Sequence, residues 1–140
     1  MERDQASKFI NDLLRLLVSR NGSDLFITGD FPPAMKIDGK VTKVSPQPLT
    51  ATHTLALARS IMNDKQAAEY ERTKECNFAI APPGLGRFRV NAFIQQGQVG
   101  MVMRVIPVTL PTIDGLGMPQ VLKDVVMTKR GLTILVGATG

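Results

Sequence analysis

Alternation of apolar and polar residues from Glu75 to Ile106 constrains the fold more than any other feature of this chain. The pattern fits three strands, at about 76–81, 87–96 and 99–106. A turn rich in proline and glycine follows the first strand, and a tight Gln96-Gly97-Gln98 turn follows the second. Strands joined by such short turns pair as antiparallel neighbours, so the sequence predicts a three-stranded meander.

The residues before this meander predict one helix and a set of short strands. The helix, at about 7–20, carries apolar residues at helical spacing, and Asn21-Gly22 ends it. Short strands follow at about 24–28, 35–37 and 41–44. Asp38-Gly39 lies between the last two and predicts a hairpin turn, because both residues tolerate positive φ.

Two further helices are predicted between these strands and the meander. They fit at about 52–62 and 64–74. Thr50 or Thr52 caps the first, and Asn63 or Asp64 caps the second, since these side chains accept hydrogen bonds from the first turn of a helix.

The segment after Ile106 has a different character. Pro107 and Pro111 bracket a stretch with little predicted structure, which indicates a linker. A short helix at about 119–127 follows, and the run Leu132–Val136 is apolar apart from Thr133 and rich in β-branched residues. Such a run is typical of a strand buried on both faces of a parallel sheet, so we expect a second domain to begin here.

The last residues, Gly137-Ala138-Thr139-Gly140, match the first half of a phosphate-binding loop. That loop reads G-x-x-x-x-G-K-[ST] and follows a buried strand. Its lysine and hydroxyl residue would lie beyond Gly140, so the spacing alone leaves two interpretations: a nucleotide-binding loop, or a simple turn after a strand.

Composition narrows the class of protein. With 44% hydrophobic residues the chain can bury a core, and its single cysteine, Cys76, rules out an internal disulfide. The net charge is +5, but the basic residues are interleaved with acidic residues and form no cluster, so we expect no nucleic-acid partner. No apolar run approaches the roughly 20 residues of a membrane span, and no metal site is indicated. We therefore expect a cytoplasmic protein.

Several collinear stretches resemble the type IV pilus retraction ATPases, the PilT/PilU group of the secretion-ATPase superfamily. They are residues 22–28, 32–39, 75–80, 86–93 and 129–140. Together they extend the resemblance over nearly the whole chain. Phe26 stands where the PilT pattern usually has His, which makes the chain more similar to the PilU members.

The resemblance implies an α/β (α+β) fold that is divided into an N-terminal domain, a linker and the start of a second domain. A PAS-like N-terminal domain, with an antiparallel sheet and flanking helices, is expected at 1–106. An interdomain linker is expected at 107–117. Residues 118–140 are expected to be the first elements of a RecA-like P-loop ATPase domain, truncated within the Walker A motif.

The resemblance also implies a function. The full-length protein is expected to be a P-loop ATPase, a hexameric motor that uses ATP and Mg²⁺ to power pilus retraction and twitching motility. Its expected partners are a second pilus ATPase and the inner-membrane pilus base proteins, to which it would be peripheral. We expect the chain alone to be inactive. Two alternatives stay open: a non-catalytic assembly or docking module of an accessory pilus protein, and a pilus-extension or secretion ATPase.

Arg87 and Arg89 alternate along a predicted strand, so both side chains leave the same face. Two guanidinium groups on one face can bind an anion, but an exposed face of a half-buried sheet gives the same pattern. The resemblance favours the first interpretation, because related ATPases contact nucleotide through an Arg-x-Arg strand of this kind and through an arginine in the next strand, here Arg104. These three arginines are the candidate catalytic, nucleotide-sensing residues.

Two more residues are singled out in the sequence. Asp24, next to Ser23, could be a ligand or an anion near a helix end, but it is interpreted as a residue that settles a turn or a cap, which is the commoner role. Phe93 falls on the arginine face by alternation. The sequence leaves open whether Phe93 packs on an adenine or on a neighbouring subunit.

Overall fold

Local signals in the sequence place most helices and strands of the chain, which is described here over residues 1–138 by a computed structural model. Contacts divide it into two units, Met1–Val108 and the residues from Thr109 onward. Within the described residues, the first unit holds α1 (Arg3–Ser19), β1 (Asp24–Thr28), β2 (Ala34–Ile37), β3 (Lys40–Lys43), α2 (Ala51–Ser60), α3 (Asp64–Thr73), β4 (Glu75–Ile80), β5 (Arg87–Gln95) and β6 (Gln98–Ile106). The second unit holds α4 (Val121–Val126).

Caps and turns lie where the local chemistry favours them. The Thr50 side chain accepts a hydrogen bond from the His53 backbone N–H at the start of α2. Asn63 and Gln66 form a reciprocal capping box at the start of α3. The β2–β3 and β5–β6 hairpins each turn on two residues of positive φ, Asp38-Gly39 and Gln96-Gly97, as tight hairpins require.

Helix α1 begins at Arg3, four residues before the predicted start at residue 7. The buried stripe extends further than the leucine pattern indicated, because Ala6 is fully buried on the same face as Ile10. The Arg3 guanidinium also donates to the Met62 carbonyl at 3.5 Å, which connects the first turn to the end of α2.

All the strands form one antiparallel sheet in the order β3-β2-β1-β6-β5-β4. The predicted meander of β4, β5 and β6 is confirmed. The meander is joined to the N-terminal strands β1, β2 and β3 by pairing of β1 with β6, which sets Asp24 opposite Arg104. This pairing joins residues that are 80 positions apart, and no local feature of the sequence predicts it.

The core lies between one face of this sheet and the helices. Apolar residues at alternate strand positions point into it, and so do the inner faces of α1 and α2; its fully buried members include Ile10, Leu14, Leu17, Leu25, Ile27, Met35, Leu57, Phe88, Val90, Met101 and Met103. Burying one face of a sheet under helices leaves the other face for polar residues. The predicted mixed fold, an antiparallel sheet with flanking helices, is therefore confirmed.

The strand predicted in the second unit is wrong. Residues 132–136 do not form a strand, and the side chains of Leu132, Ile134, Leu135 and Val136 are 72% to 93% exposed. A strand needs at least one neighbouring strand to satisfy its backbone, and the described part of this unit contains no other strand.

A short polar network organises the rest of the second unit. The Asp114 carboxylate accepts hydrogen bonds from Lys123 Nζ and from Gln120 Nε2, each at 2.7 Å. These two hydrogen bonds lower the pKa of Asp114 below its ordinary value, and the bond from Lys123 has the larger effect. They connect the loop around residue 114 to α4, which is shorter than the predicted 119–127 helix.

None of the helices formed by residues 1–138 combines the length and the apolar character that a bilayer crossing requires.

Candidate functional site

A row of charged residues crosses the open face of the sheet. Strand register places Lys36 of β2 opposite Asp24 of β1, Asp24 opposite Arg104 of β6, and Arg104 opposite Arg89 of β5. Four neighbouring strands therefore contribute one charged side chain each, in the order positive, negative, positive, positive. The row has an excess of positive charge at its β5–β6 end.

The alternation predicted for β5 is present in the structure. Phe88 and Val90 are fully buried in the core, whereas Arg87 and Arg89 are exposed. Arg89 stands directly opposite Arg104. Two like charges facing each other on adjacent strands are unfavourable unless a counter-charge lies between or beside them. The pair is therefore expected to have a negative charge nearby.

Asp24 supplies part of that counter-charge. Arg104 Nε donates to Asp24 Oδ1 at 2.9 Å, and Ser23 Oγ donates to Asp24 Oδ2 at 2.8 Å. The Asp24 side chain is 6% exposed, whereas that of Arg104 is 72% exposed. The structure thus corrects the sequence interpretation of Asp24, because its carboxylate pairs with a distant arginine rather than settling a local turn.

The pKa of Asp24 reflects this pairing. Burial alone raises it, but the hydrogen bonds from Arg104 and Ser23 and the charges of Arg104 and Lys36 outweigh that effect. The pKa of Asp24 is consequently below its ordinary value. The pKa of Arg104 is raised, first by the hydrogen bond to Asp24 and then by the charge of that carboxylate. Both groups stay ionised at neutral pH.

Arg89 and Arg104 border a cavity of about 390 Å³ on the open face. The lining combines guanidinium groups with amides and apolar side chains: Asn77, Arg89, Asn91, Phe93, Val102 and Arg104. Guanidinium groups match the oxygens of phosphate or carboxylate, and the amides can both donate and accept hydrogen bonds. Arg87 points to the same side of the sheet but does not line this cavity.

Phe93 forms one wall of the cavity because Gly100 lies opposite it on β6. A Cβ atom on Gly100 would stand 2.6 Å from Phe93 Cε2, so only glycine lets the ring lie against the strand there. Tyr70 O–H donates to the Phe93 carbonyl at 3.2 Å and fixes its backbone. Sequence alternation placed Phe93 on this face, but it gave no sign of the role of Gly100.

The predicted phosphate-binding loop is described only in part. Gly137 and Ala138 are exposed and lie outside helices and strands. Thr139 and Gly140 lie outside the described residues. In the described part of the chain no group of three His, Cys, Asp or Glu side chains is arranged to hold a metal ion, so no residue here is assigned to Mg²⁺.

Comparison with known proteins gives matches along most of the chain. It is 49% identical over 128 residues to the type IV pilus ATPase PilU of Pseudomonas aeruginosa, covering 91% of this chain and 34% of that protein. It is 40% identical over 131 residues to the retraction ATPase PilT of the same organism, covering 94% and 38%. The chain thus spans about a third of the length of these relatives. No protein-family model matches it.

Solved structures agree with these sequence matches. The structure of the pilus retraction motor PilT with bound ADP matches with a TM-score of 0.70 and 29% identity, covering 79% of this chain and 33% of that one. The Legionella pneumophila ATPase DotB matches with a TM-score of 0.63 and 23% identity, covering 88% and 35%. The DotB match concerns the fold alone. Identity is higher to PilU than to PilT, as the sequence predicted.

Proposed function

We propose that this chain, which is similar over most of its length to the type IV pilus retraction ATPases PilU and PilT, is part of an ATP-hydrolysing motor that powers pilus retraction and twitching motility. Residues 1–106 are its PAS-like N-terminal domain, 107–117 its linker, and 118–140 the start of a RecA-like ATPase domain. The full-length protein assembles as a hexameric ring. It works in the cytoplasm beside the inner-membrane pilus base and a partner pilus ATPase.

The observation that carries this proposal is the opposed pair Arg89 and Arg104 at the edge of a cavity. The solved structure of the pilus retraction motor PilT contains bound ADP, so nucleotide phosphates are a fitting anion for such a pair. In our proposal the two guanidinium groups bind the terminal phosphate of ATP when this domain meets a nucleotide. Loss of that phosphate then frees the domain to rotate. A bound Mg²⁺ would supply positive charge to the phosphates, and none of the residues described for this chain is assigned to hold it.

The test is ATP turnover by the full-length protein carrying Arg89→Ala or Arg104→Ala. Each change removes charge-assisted hydrogen bonds, so we expect kcat/KM to fall by roughly ten- to a hundredfold with ring assembly unchanged. Arg87→Ala should lower turnover less, because Arg87 does not line the cavity. Lys40→Ala is the matched control, since it removes one positive charge from the edge strand of the same sheet. Wild-type turnover in both cavity variants would refute the arginine site.

The 140-residue chain by itself should not hydrolyse ATP. The lysine of the phosphate-binding loop and the acidic residues that bind Mg²⁺ are not among its residues, and phosphoryl transfer depends on them. Phosphate release is measured from purified chain and from its Arg89→Ala variant. Release that depends on Arg89 would contradict the expectation, whereas equal traces in both samples indicate a contaminant.

A non-catalytic docking module and a pilus-extension or secretion ATPase are the alternatives to this proposal. The residues after Gly140 separate the first of them from a motor. A Gly-Lys-Ser/Thr sequence at the offset of the phosphate-binding loop supports a motor, and its loss supports a docking module.

A further inference from the structure

We propose that Asp24 is a positioning residue, which holds Arg104 by its Nε so that the outer edge of the guanidinium group is available to an anion in the cavity. This inference rests on the proposed function of Arg89 and Arg104. It adds a residue whose own charge has the wrong sign for anion binding. Asp24 acts only through the arginine it holds.

The geometry of the pair divides the donors of Arg104 between two tasks. A guanidinium group carries five N–H donors in a rigid plane, one on Nε and four on the two terminal nitrogens. Asp24 takes the Nε donor at 2.9 Å. Within residues 1–138 Arg104 makes no second side-chain hydrogen bond, so its terminal nitrogens remain for a ligand.

Asp24 is itself held firmly enough to direct another side chain. It is almost fully buried, although its partner Arg104 is mostly exposed. Its second carboxylate oxygen accepts a hydrogen bond from Ser23 Oγ at 2.8 Å, so each oxygen has a hydrogen-bond partner. Strand pairing sets Asp24 directly opposite Arg104. Without this anchor the long, exposed arginine side chain would sample many rotamers.

The direction in which Asp24→Asn changes the ATP kinetics distinguishes positioning from a simple charge effect. A carboxylate beside an anion site weakens anion binding through its charge alone. If charge were its only effect, Asp24→Asn would lower the KM for ATP and so raise kcat/KM. If Asp24 positions Arg104, the same change lowers kcat/KM, because a neutral amide oxygen holds the guanidinium group more weakly than a carboxylate does. The two explanations predict opposite outcomes.

The experiment compares ATP turnover by the full-length protein and its variants Asp24→Asn, Arg104→Ala and the double variant. We expect Asp24→Asn to reduce kcat/KM by roughly tenfold, and the double variant to be no worse than Arg104→Ala alone. Ser23→Ala, which removes only the second anchor, should give a smaller reduction. Asp38→Asn removes the same charge from an exposed hairpin turn and should have no effect.

The possible failures are distinguishable. If kcat/KM of Asp24→Asn equals or exceeds that of the wild type while Arg104→Ala is impaired, the positioning role is overturned and the arginine site stays intact. Losses from Asp24→Asn and Arg104→Ala that add in the double variant would also overturn it, because Asp24 would then act independently of Arg104. Wild-type turnover in Arg104→Ala would refute the site itself, and with it this inference.

Whether the variants fold is checked on the 140-residue chain by the NMR signal of Arg104 Nε–Hε. In the wild type this proton should exchange slowly, since Asp24 accepts it. In Asp24→Asn it should exchange faster while the backbone spectrum is preserved. An unchanged exchange rate would contradict the proposed anchor. If Asp24→Asn does not fold, Ser23→Ala decides, and an unchanged kcat/KM in that variant overturns the inference.

Discussion

At the residue scale, the open face of the sheet is organised by one carboxylate among several cations. Asp24 lies between Lys36 and Arg104 and is the only one of the three that is buried. Local reading of the sequence correctly gave the direction of Arg87 and Arg89, because alternation along a strand follows from backbone geometry. It could not find the partner of Asp24, because that partner is 80 residues away.

The lowered pKa of Asp24 makes the stability of the chain depend on pH in a definite direction. The contribution of Asp24 is complete above its unfolded pKa, near 3.8, and is lost as pH falls through the lower folded value. Urea unfolding at pH steps from about 5 to 2 should show this loss in the wild type and a flatter profile in Asp24→Asn.

At pH 7 we expect Asp24→Asn to lower the free energy of unfolding by roughly 1 kcal/mol, a modest value because Arg104 is mostly in solvent. Asp38→Asn serves as the control, since Asp38 is exposed in a hairpin turn and tolerates asparagine at positive φ. Parallel pH profiles for the wild type and Asp24→Asn would contradict the assignment.

At the element scale, boundaries were predictable where a local chemical signal exists. Strand β1 has the predicted bounds, and the hairpin turns lie at Asp38-Gly39 and Gln96-Gly97 as expected. The predicted strand at 132–136 failed for a different reason. A β-branched apolar run has the propensity for a strand, but it forms one only when another strand satisfies its backbone.

The capping box of α3 allows a test at this scale. Asn63→Ala removes the side-chain acceptor for the Gln66 N–H, so we expect the free energy of unfolding to fall by about 1 kcal/mol. Chemical denaturation monitored by circular dichroism measures the change. Lys65→Ala, an exposed substitution in the first turn of the same helix, should change it by less than about 0.5 kcal/mol. Equal effects of the two substitutions would contradict the role of the cap.

At the scale of the whole molecule, the pairing of β1 with β6 makes one sheet from two local motifs. The β2–β3 hairpin and the meander of β4, β5 and β6 each depend on local turns, but only the pairing of β1 with β6 brings Asp24 to Arg104. Among residues 1–138, every buried hydrophobic residue of the core belongs to the first unit, Met1–Val108. That unit therefore contains what its own folding requires.

Removing the residues from Thr109 onward should leave the first unit folded. We expect residues 1–108 to unfold cooperatively, with a midpoint temperature within a few degrees of that of the whole chain, because no core residue is lost. Circular dichroism during heating measures this. Residues 1–97, which lack β6, are the control and should not fold, since β6 lies between β1 and β5. A large loss of stability in residues 1–108 would show that the second unit supports the first.

The sequence by itself determined the secondary structure of the first unit, the inward and outward faces of β5, and the resemblance to the pilus retraction ATPases. These depend on periodicity, turn chemistry and collinear motifs, all of which are local. Tertiary structure alone decided that Arg89, Arg104 and Asp24 share one row, that Gly100 makes room for Phe93, and that residues 132–136 form no strand. Each of these depends on which distant strand is the neighbour, and strand pairing is a property of the folded chain.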